Sequence, residues 1–250
     1  MPRIARIKSS DLTYHVHCRG NNKMTVFQDE VDYRSYMEIV NGYQNKFTFY
    51  MYHFALMPNH VHLLFKSESD ISYLMHGINL SYAQYYKKKY NHTGHFWQDR
   101  FKSHIVQDDT YLMTVARYIE RNPLRAGLTN DLRCYKFSSY NFYAYGQDCG
   151  MCLTLNPLYL ALSRHVTERQ IHYRHFIGAD LNEGSYEDNT GSQRQIAPWD
   201  IPAALPIIDT QFISTPEFAR QLITTKFKER IKPKRGRPSK NQQKLIPNLL

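Results

Sequence analysis

The chain predicts an α+β fold, an antiparallel sheet with helices packed on it, and three observations lead there. Residues 11–19 alternate apolar and polar side chains at the two-residue period of a half-buried strand, through Leu12, Tyr14, Val16 and Cys18. Residues 47–57 and 60–66 are aromatic and β-branched runs parted only by Pro58-Asn59, the composition of a tight hairpin. Stretches with helical spacing lie between and after these runs. The resulting order β-α-β-β-α-β-α calls for a layered architecture of sheet and helices.

The first strand ends at Gly20-Asn21-Asn22, a turn signal. Asp29 then reads as the N-cap of a helix over 30–45, with Val31, Tyr36, Ile39, Val40 and Tyr43 near helical spacing. After the hairpin, residues 72–90 form a second amphipathic helix, with Leu74, Ile78 and Tyr82 on its inner side. Lys87-Lys88-Lys89 closes it, which suits the negative end of the helix dipole. Residues 100–107 read as a further strand. A helix over 110–121 follows, capped by Asp108 or Asp109 and ended at Asn122-Pro123, because the residue before proline is biased away from the helical region. The segment Tyr135 to Tyr140 closes this first domain, placed at residues 1–146. Beyond it, 156–163, 167–176 and 216–228 are helical, 181–196 is polar and loop-like, and no repeat is found. The expected organisation is therefore a mostly helical extension over 147–230 and a basic tail over 231–250.

At 250 residues, with 42% hydrophobic and 14% aromatic side chains, the chain can bury a sizeable core. No apolar run approaches the roughly 18 residues of a membrane span, and no apolar segment follows the basic N-terminus, so a cytoplasmic protein without a membrane partner is expected. Four cysteines are too few for a disulfide framework. Cys149-Gly150-Met151-Cys152 is a solitary CxxC that reads as a free thiol pair rather than half a zinc ribbon. The net charge of +10 is unevenly placed. From Lys226 to Leu250, nine Lys or Arg face Glu229 alone, a net of +8, which leaves +2 for the preceding 225 residues. A nearly neutral body with a cationic tail points to a polyanion held by the tail and a substrate recognised by local features of the body.

The most informative stretch is Met57-Pro58-Asn59-His60-Val61-His62. On a strand His60 and His62 share one face, where two imidazoles make a clamp for a divalent cation able to activate a phosphate ester. Such a pair is also compatible with a plain polar strand face. His15-Val16-His17 is a second HxH that spacing does not exclude. The other decisive stretch is Tyr118-Ile119-Glu120-Arg121-Asn122-Pro123. Residues i and i+4 share a helix face, so Tyr118 and Asn122 can address one spot. Turned toward the histidines, that face would add an amide oxygen to hold Mg²⁺ or Mn²⁺ and a phenol to attack phosphorus. Tyr111, seven residues earlier, is the rival on the same face, and Asn122 alone could be merely a helix C-cap, a role compatible with ligation.

These blocks, together with Tyr14-His15-Val16, Arg19-Gly20, Gly94-His95-Phe96-Trp97-Gln98-Asp99-Arg100-Phe101 and Ala126-Gly127-Leu128, resemble the IS200-like tyrosine transposases, and more narrowly the REP-associated ones. The similarity spans about residues 1–146. It implies an HUH-nuclease fold with a ferredoxin-like (RRM-like) core. His60 and His62 would be the metal-binding HUH pair, Asn122 the third ligand and Tyr118 the nucleophile. The implied enzyme cleaves and rejoins single-stranded, hairpin-containing DNA through a metal-dependent 5′-phosphotyrosine. Its different-class alternative is a non-cleaving protein of the same fold that recognises hairpin or AT-rich DNA. The resemblance leaves monomer and homodimer open.

Substrate contacts are expected from Arg19, His95, Trp97 and Arg100, residue types that stack on unpaired bases or hold phosphates. For Phe96 and Phe101 a core role is equally compatible. In the tail, Lys234, Arg235, Gly236 and Arg237 precede Pro238 in a pattern similar to an AT-hook, which suits a narrow A·T minor groove in duplex DNA.

Overall fold

In the computed structural model, residues 12–106 and 109–178 are described, with the short strands β5 (Tyr186–Glu187) and β6 (Gln193–Arg194), which pair with each other. The remaining predicted features, including the helix over 216–228 and the tail residues Lys234, Arg235, Gly236 and Arg237, lie outside the described residues.

Four strands, β1 (Leu12–Arg19), β2 (Phe49–Met57), β3 (His60–Ser67) and β4 (Lys102–Val106), form one antiparallel sheet in the order β2-β3-β1-β4. Helices α1 (Glu30–Gln44) and α2 (Ile71–Tyr90) make the two crossovers, which gives the ferredoxin-like plan. Asp29 caps α1 in a capping box with Asp32, and Asp70 caps α2 by accepting from the Ser72 N–H. The strand period decides what goes where. Tyr14, Val16 and Cys18 enter the main core with Leu63 and Phe65 of β3 and with Tyr36, Val40, Leu74, Ile78 and Tyr82 of the two helices. His15, His17 and Arg19 therefore point to the opposite face.

That opposite face is covered by α3 (Asp109–Arg125), whose Leu112, Val115, Ala116 and Ile119 pack on Tyr52, Ala55, Leu64 and Val106. A register shift between Met51 and His53 marks a bulge in β2. It keeps Phe49, Met51, Phe54 and Leu56 all in the main core while turning Tyr52 and Ala55 toward α3.

The structure corrects the expected end of α3. The helix runs through Pro123 to Arg125 rather than stopping at residue 121. Proline removes one donor, but the turn after it is closed by a Schellman arrangement. The Leu128 N–H donates to the Pro123 carbonyl at 3.0 Å and the Gly127 N–H to the Leu124 carbonyl at 3.0 Å, with Gly127 at φ 65°. Asn122 is thus inside the helix and not its C-cap.

Residues 137–139 extend the sheet beyond β2. The Leu56 N–H donates to the Phe137 carbonyl at 2.9 Å and the Ser139 N–H to the Phe54 carbonyl at 3.0 Å. Three further helices follow, α4 (Tyr140–Tyr145), α5 (Pro157–Ala161) and α6 (Val166–Gly178). The six-residue α4 was not expected, because a run of aromatics and one Asn carries no helical period. Tyr140 and Tyr143 of α4, Tyr159 of α5 and Tyr173 and Ile177 of α6 form a third core with Met113 of α3. No helix among the described residues is long and apolar enough to cross a membrane.

Candidate active site

Strand pairing assembles the site. In register, His17 faces His62 and Arg19 faces His60 across β1 and β3, while His15 faces His104 and His17 faces Lys102 across β1 and β4. Five imidazoles therefore lie on the α3 face of the sheet. The His62 ring is 5.0 Å from His60, 5.2 Å from His15 and 5.6 Å from His17, centroid to centroid. Tyr118 of α3 reaches down to this cluster. Its ring stands edge-on to His62 at 5.7 Å and to His15 at 6.0 Å. Tyr111 is half-buried and packs in the apolar cluster under the N-terminal half of α3. Asn122, one turn after Tyr118, is half-buried and donates its amide to the Tyr118 carbonyl at 3.4 Å.

The ring partners fit metal ligation. His60 Nδ1 bonds Asn59 Oδ1 at 2.6 Å, which places the proton on Nδ1 and the lone pair on Nε2. His62 Nδ1 is 3.0 Å from His15 Nε2, so His62 can likewise present Nε2 when its Nδ1–H donates to His15. That tautomer leaves His15 with its own proton on Nδ1, an atom buried without a hydrogen-bond partner among the described residues. Burial, then the charge of Arg19 and the neighbouring His17, pushes His60 down to about 4. Burial and the surrounding imidazoles hold His62 well below the usual histidine range. Burial, followed by His104 and His17, lowers His15 to about 3, and burial, followed by Lys102, His104 and Arg19, lowers His17 to about 4. All four are neutral at pH 7, the ligating form. Two Nε2 atoms and the Asn122 amide oxygen suit a hard divalent cation that keeps open positions. Among the described residues no group of three or more His, Cys, Asp or Glu side chains is placed to hold a metal ion.

Cations surround this cluster. Arg19 and Lys102 are exposed at the strand ends, and the Arg125 guanidinium lies over the Tyr118 ring, 5.3 Å from its centroid. Arg125, Lys102 and His104 were missed from sequence. Arg125 follows Tyr118 by two helical turns and so shares its face, a signal hidden by the expectation that the helix stopped at 121.

The 95–98 segment runs beside the end of β1. The Gln98 N–H donates to the Arg19 carbonyl at 2.9 Å and the Asn21 N–H to the Phe96 carbonyl at 2.8 Å. His95 and Arg100 are exposed there. Trp97 is half-buried, with its indole N–H on the Asn79 carbonyl at 3.0 Å and its ring 4.8 Å from Phe96. Phe96 and Phe101 are core residues. Trp97 thus packs on α2 and the main core, away from the histidine face of the sheet, while His95 and Arg100 are exposed in the same segment.

Residues 8–122 match the family profile described as "Transposase IS200 like". A protein of Haemophilus influenzae named as a REP-associated tyrosine transposase is 29% identical over 103 residues, covering 35% of this chain and 56% of the relative; the match thus spans little more than half of that relative's length. A solved structure of a REP-associated tyrosine transposase bound to a REP hairpin superposes with a TM-score of 0.50 at 16% identity, over 62% of this chain and 94% of that one, which shows a shared fold. The four strands, His60, His62 and Tyr118 lie within the matched segment and Asn122 at its border; the match spans a little under half of this chain and shows a likeness to the IS200-like transposases over residues 8–122.

Proposed function

We propose that the protein cleaves and rejoins single-stranded, hairpin-forming DNA with Tyr118 as nucleophile. The observation that carries this reading is the Tyr118 ring 5.7 Å from His62, with Asn122 one turn further along the same helix. The phenol oxygen attacks phosphorus, the bond from phosphorus to the 3′ oxygen breaks, the phenol gives up its proton and the departing oxygen gains one. A 5′-phosphotyrosine and a free 3′-hydroxyl result, and attack by another 3′-hydroxyl reverses the step without ATP. His60, His62 and Asn122 would hold Mg²⁺ or Mn²⁺, which polarises the scissile phosphate when bound. Arg19, Lys102 and Arg125 neutralise the phosphate charge, and the nucleophile and both histidines come from one chain.

Hairpin DNA is the proposed substrate because the folds match that of a REP-associated transposase solved with a REP hairpin. Arg19, His95 and Arg100 would lead the strand to the site. Lys234, Arg235, Gly236 and Arg237 would hold AT-rich duplex.

The test is a denaturing gel of wild type and Tyr118→Phe with labelled hairpin DNA from the gene's flanks, in Mg²⁺, Mn²⁺ or EDTA. A covalent protein–DNA band is expected only for wild type with metal. Binding without an adduct in any condition would favour the non-cleaving alternative, and cleavage that survives Tyr118→Phe would move the attack to another tyrosine or to water.

A further inference from the structure

We propose that Glu120 is a positioning residue that sets the rotation of the nucleophile helix, and that through it α5 and α6 belong to the active-site scaffold. This rests on Tyr118 as the nucleophile. Glu120 lies between Tyr118 and Asn122 but points the other way, since two residues turn a helix by about 200°. It is fully buried.

Three elements donate to its carboxyl group. His53 Nδ1 of β2 is 2.9 Å from Oε1, the Ser139 hydroxyl of the added sheet edge donates to Oε1 at 2.6 Å, and the Tyr173 hydroxyl of α6 donates to Oε2 at 2.8 Å. The proton on His53 is assigned by a fourth contact. Asn156 caps α5 with its Oδ1 accepting from the Leu158 N–H at 2.9 Å, so its amide Nδ2 faces His53 Nε2 at 3.0 Å. His53 Nε2 must accept, which leaves its proton on Nδ1 for Glu120. A helix cap 36 residues downstream thereby fixes the tautomer of the imidazole that holds the tyrosine helix.

The consequence is leverage. A 10° rotation of α3 moves an atom about 6 Å from its axis by about 1 Å, and a misplacement of that size can slow chemistry by about 100-fold. Purely apolar packing of Val115, Ala116 and Ile119 leaves such rotations soft, whereas three directional bonds on the far side of the helix do not.

The experiment uses the full chain with Glu120→Gln, Tyr173→Phe and, as a control, Tyr159→Phe, which removes a buried hydroxyl of the same helical core that donates to the Tyr143 carbonyl instead. Each variant is assayed for adduct rate at saturating hairpin DNA, for hairpin Kd by anisotropy, and for the fluorine NMR line of 3-fluorotyrosine placed at position 118 in the DNA-free protein. Glu120→Gln and Tyr173→Phe are expected to slow the adduct at least 10-fold with Kd within twofold, and to shift or broaden the fluorine line. Tyr159→Phe is expected to match wild type in all three. Unchanged adduct rates and fluorine lines in the first two variants would overturn the proposal. Should wild type form no adduct, the nucleophile reading fails separately, and the fluorine line alone decides whether Glu120 holds the ring. If Glu120→Gln does not fold, Tyr173→Phe, which removes a single oxygen, carries the test.

Discussion

Arg125 is the side chain whose role depends most on distance alone. Its guanidinium sits 5.3 Å from the Tyr118 ring centroid, where it meets both the ring face and any phosphate brought to the phenol. In the proposed attack by the phenol, negative charge would gather on the phosphate oxygens, and a fixed cation there would act without reorganising. Arg125→Ala is expected to slow single-turnover adduct formation by about 100-fold to 1000-fold, the range for one lost electrostatic stabiliser, with Arg125→Lys recovering part of it. A rate unchanged in Arg125→Ala would remove this residue from the site. Tyr118 and Asn122 were legible because i and i+4 lie within one turn. Arg125 was not, because Pro123 reads locally as a stop and only the Schellman closure at Gly127 shows that the helix continues.

Among the elements, α1 and α2 are tied by charge as well as by core packing. The fully buried Asp32 of α1 accepts from the Lys89 ammonium at 2.8 Å and from the Tyr85 and Tyr90 hydroxyls at 2.9 and 2.8 Å, all on α2. Lys89 also meets Asp29 at 2.7 Å. The lysine run at 87–89 closes α2, and its last member also bridges the two helices. Burial alone would raise the Asp32 carboxyl, but Lys89, the Gln28 N–H and the two phenols outweigh it and hold the group below its ordinary 3.8. A folded value below the unfolded one means that the unfolded chain binds the proton first. The contribution is therefore complete above about pH 4 and is lost as pH falls through the lower folded value. Urea titrations between pH 3 and 5 should show stability falling with acid, and Asp32→Asn should flatten that slope while lowering stability at pH 7 by about 1–3 kcal/mol, the range for a broken buried polar network. Parallel slopes in the two proteins would show that Asp32 is not the group responsible.

For the molecule as a whole, charge divides the labour, with +8 gathered in the last 25 residues and +2 elsewhere. Deleting residues 231–250 removes Lys232, Lys234, Arg235, Arg237, Lys240 and Lys244. If these meet duplex phosphates, the slope of log affinity for AT-rich duplex against log salt should become shallower by up to about 5, at roughly 0.9 per phosphate neutralised, while the adduct rate on hairpin DNA stays within twofold. An unchanged slope would mean that the tail does not engage the duplex. Other features were open to a reader of the chain because they are local: strand and helix periods, the Asp29 cap, the tight turn at Pro58-Asn59, the HxH of β3 and the Tyr118–Asn122 spacing. Each needs only a few neighbouring residues, so each leaves its mark in a short window. The facing of His17 with His62, the β2 bulge that lets His53 reach Glu120, and the Asn156 cap that sets the His53 proton join residues 45 to 103 positions apart. No local pattern encodes such pairings. They arise when burial of the two sheet faces selects one register and one helix rotation out of many that the local signals allow.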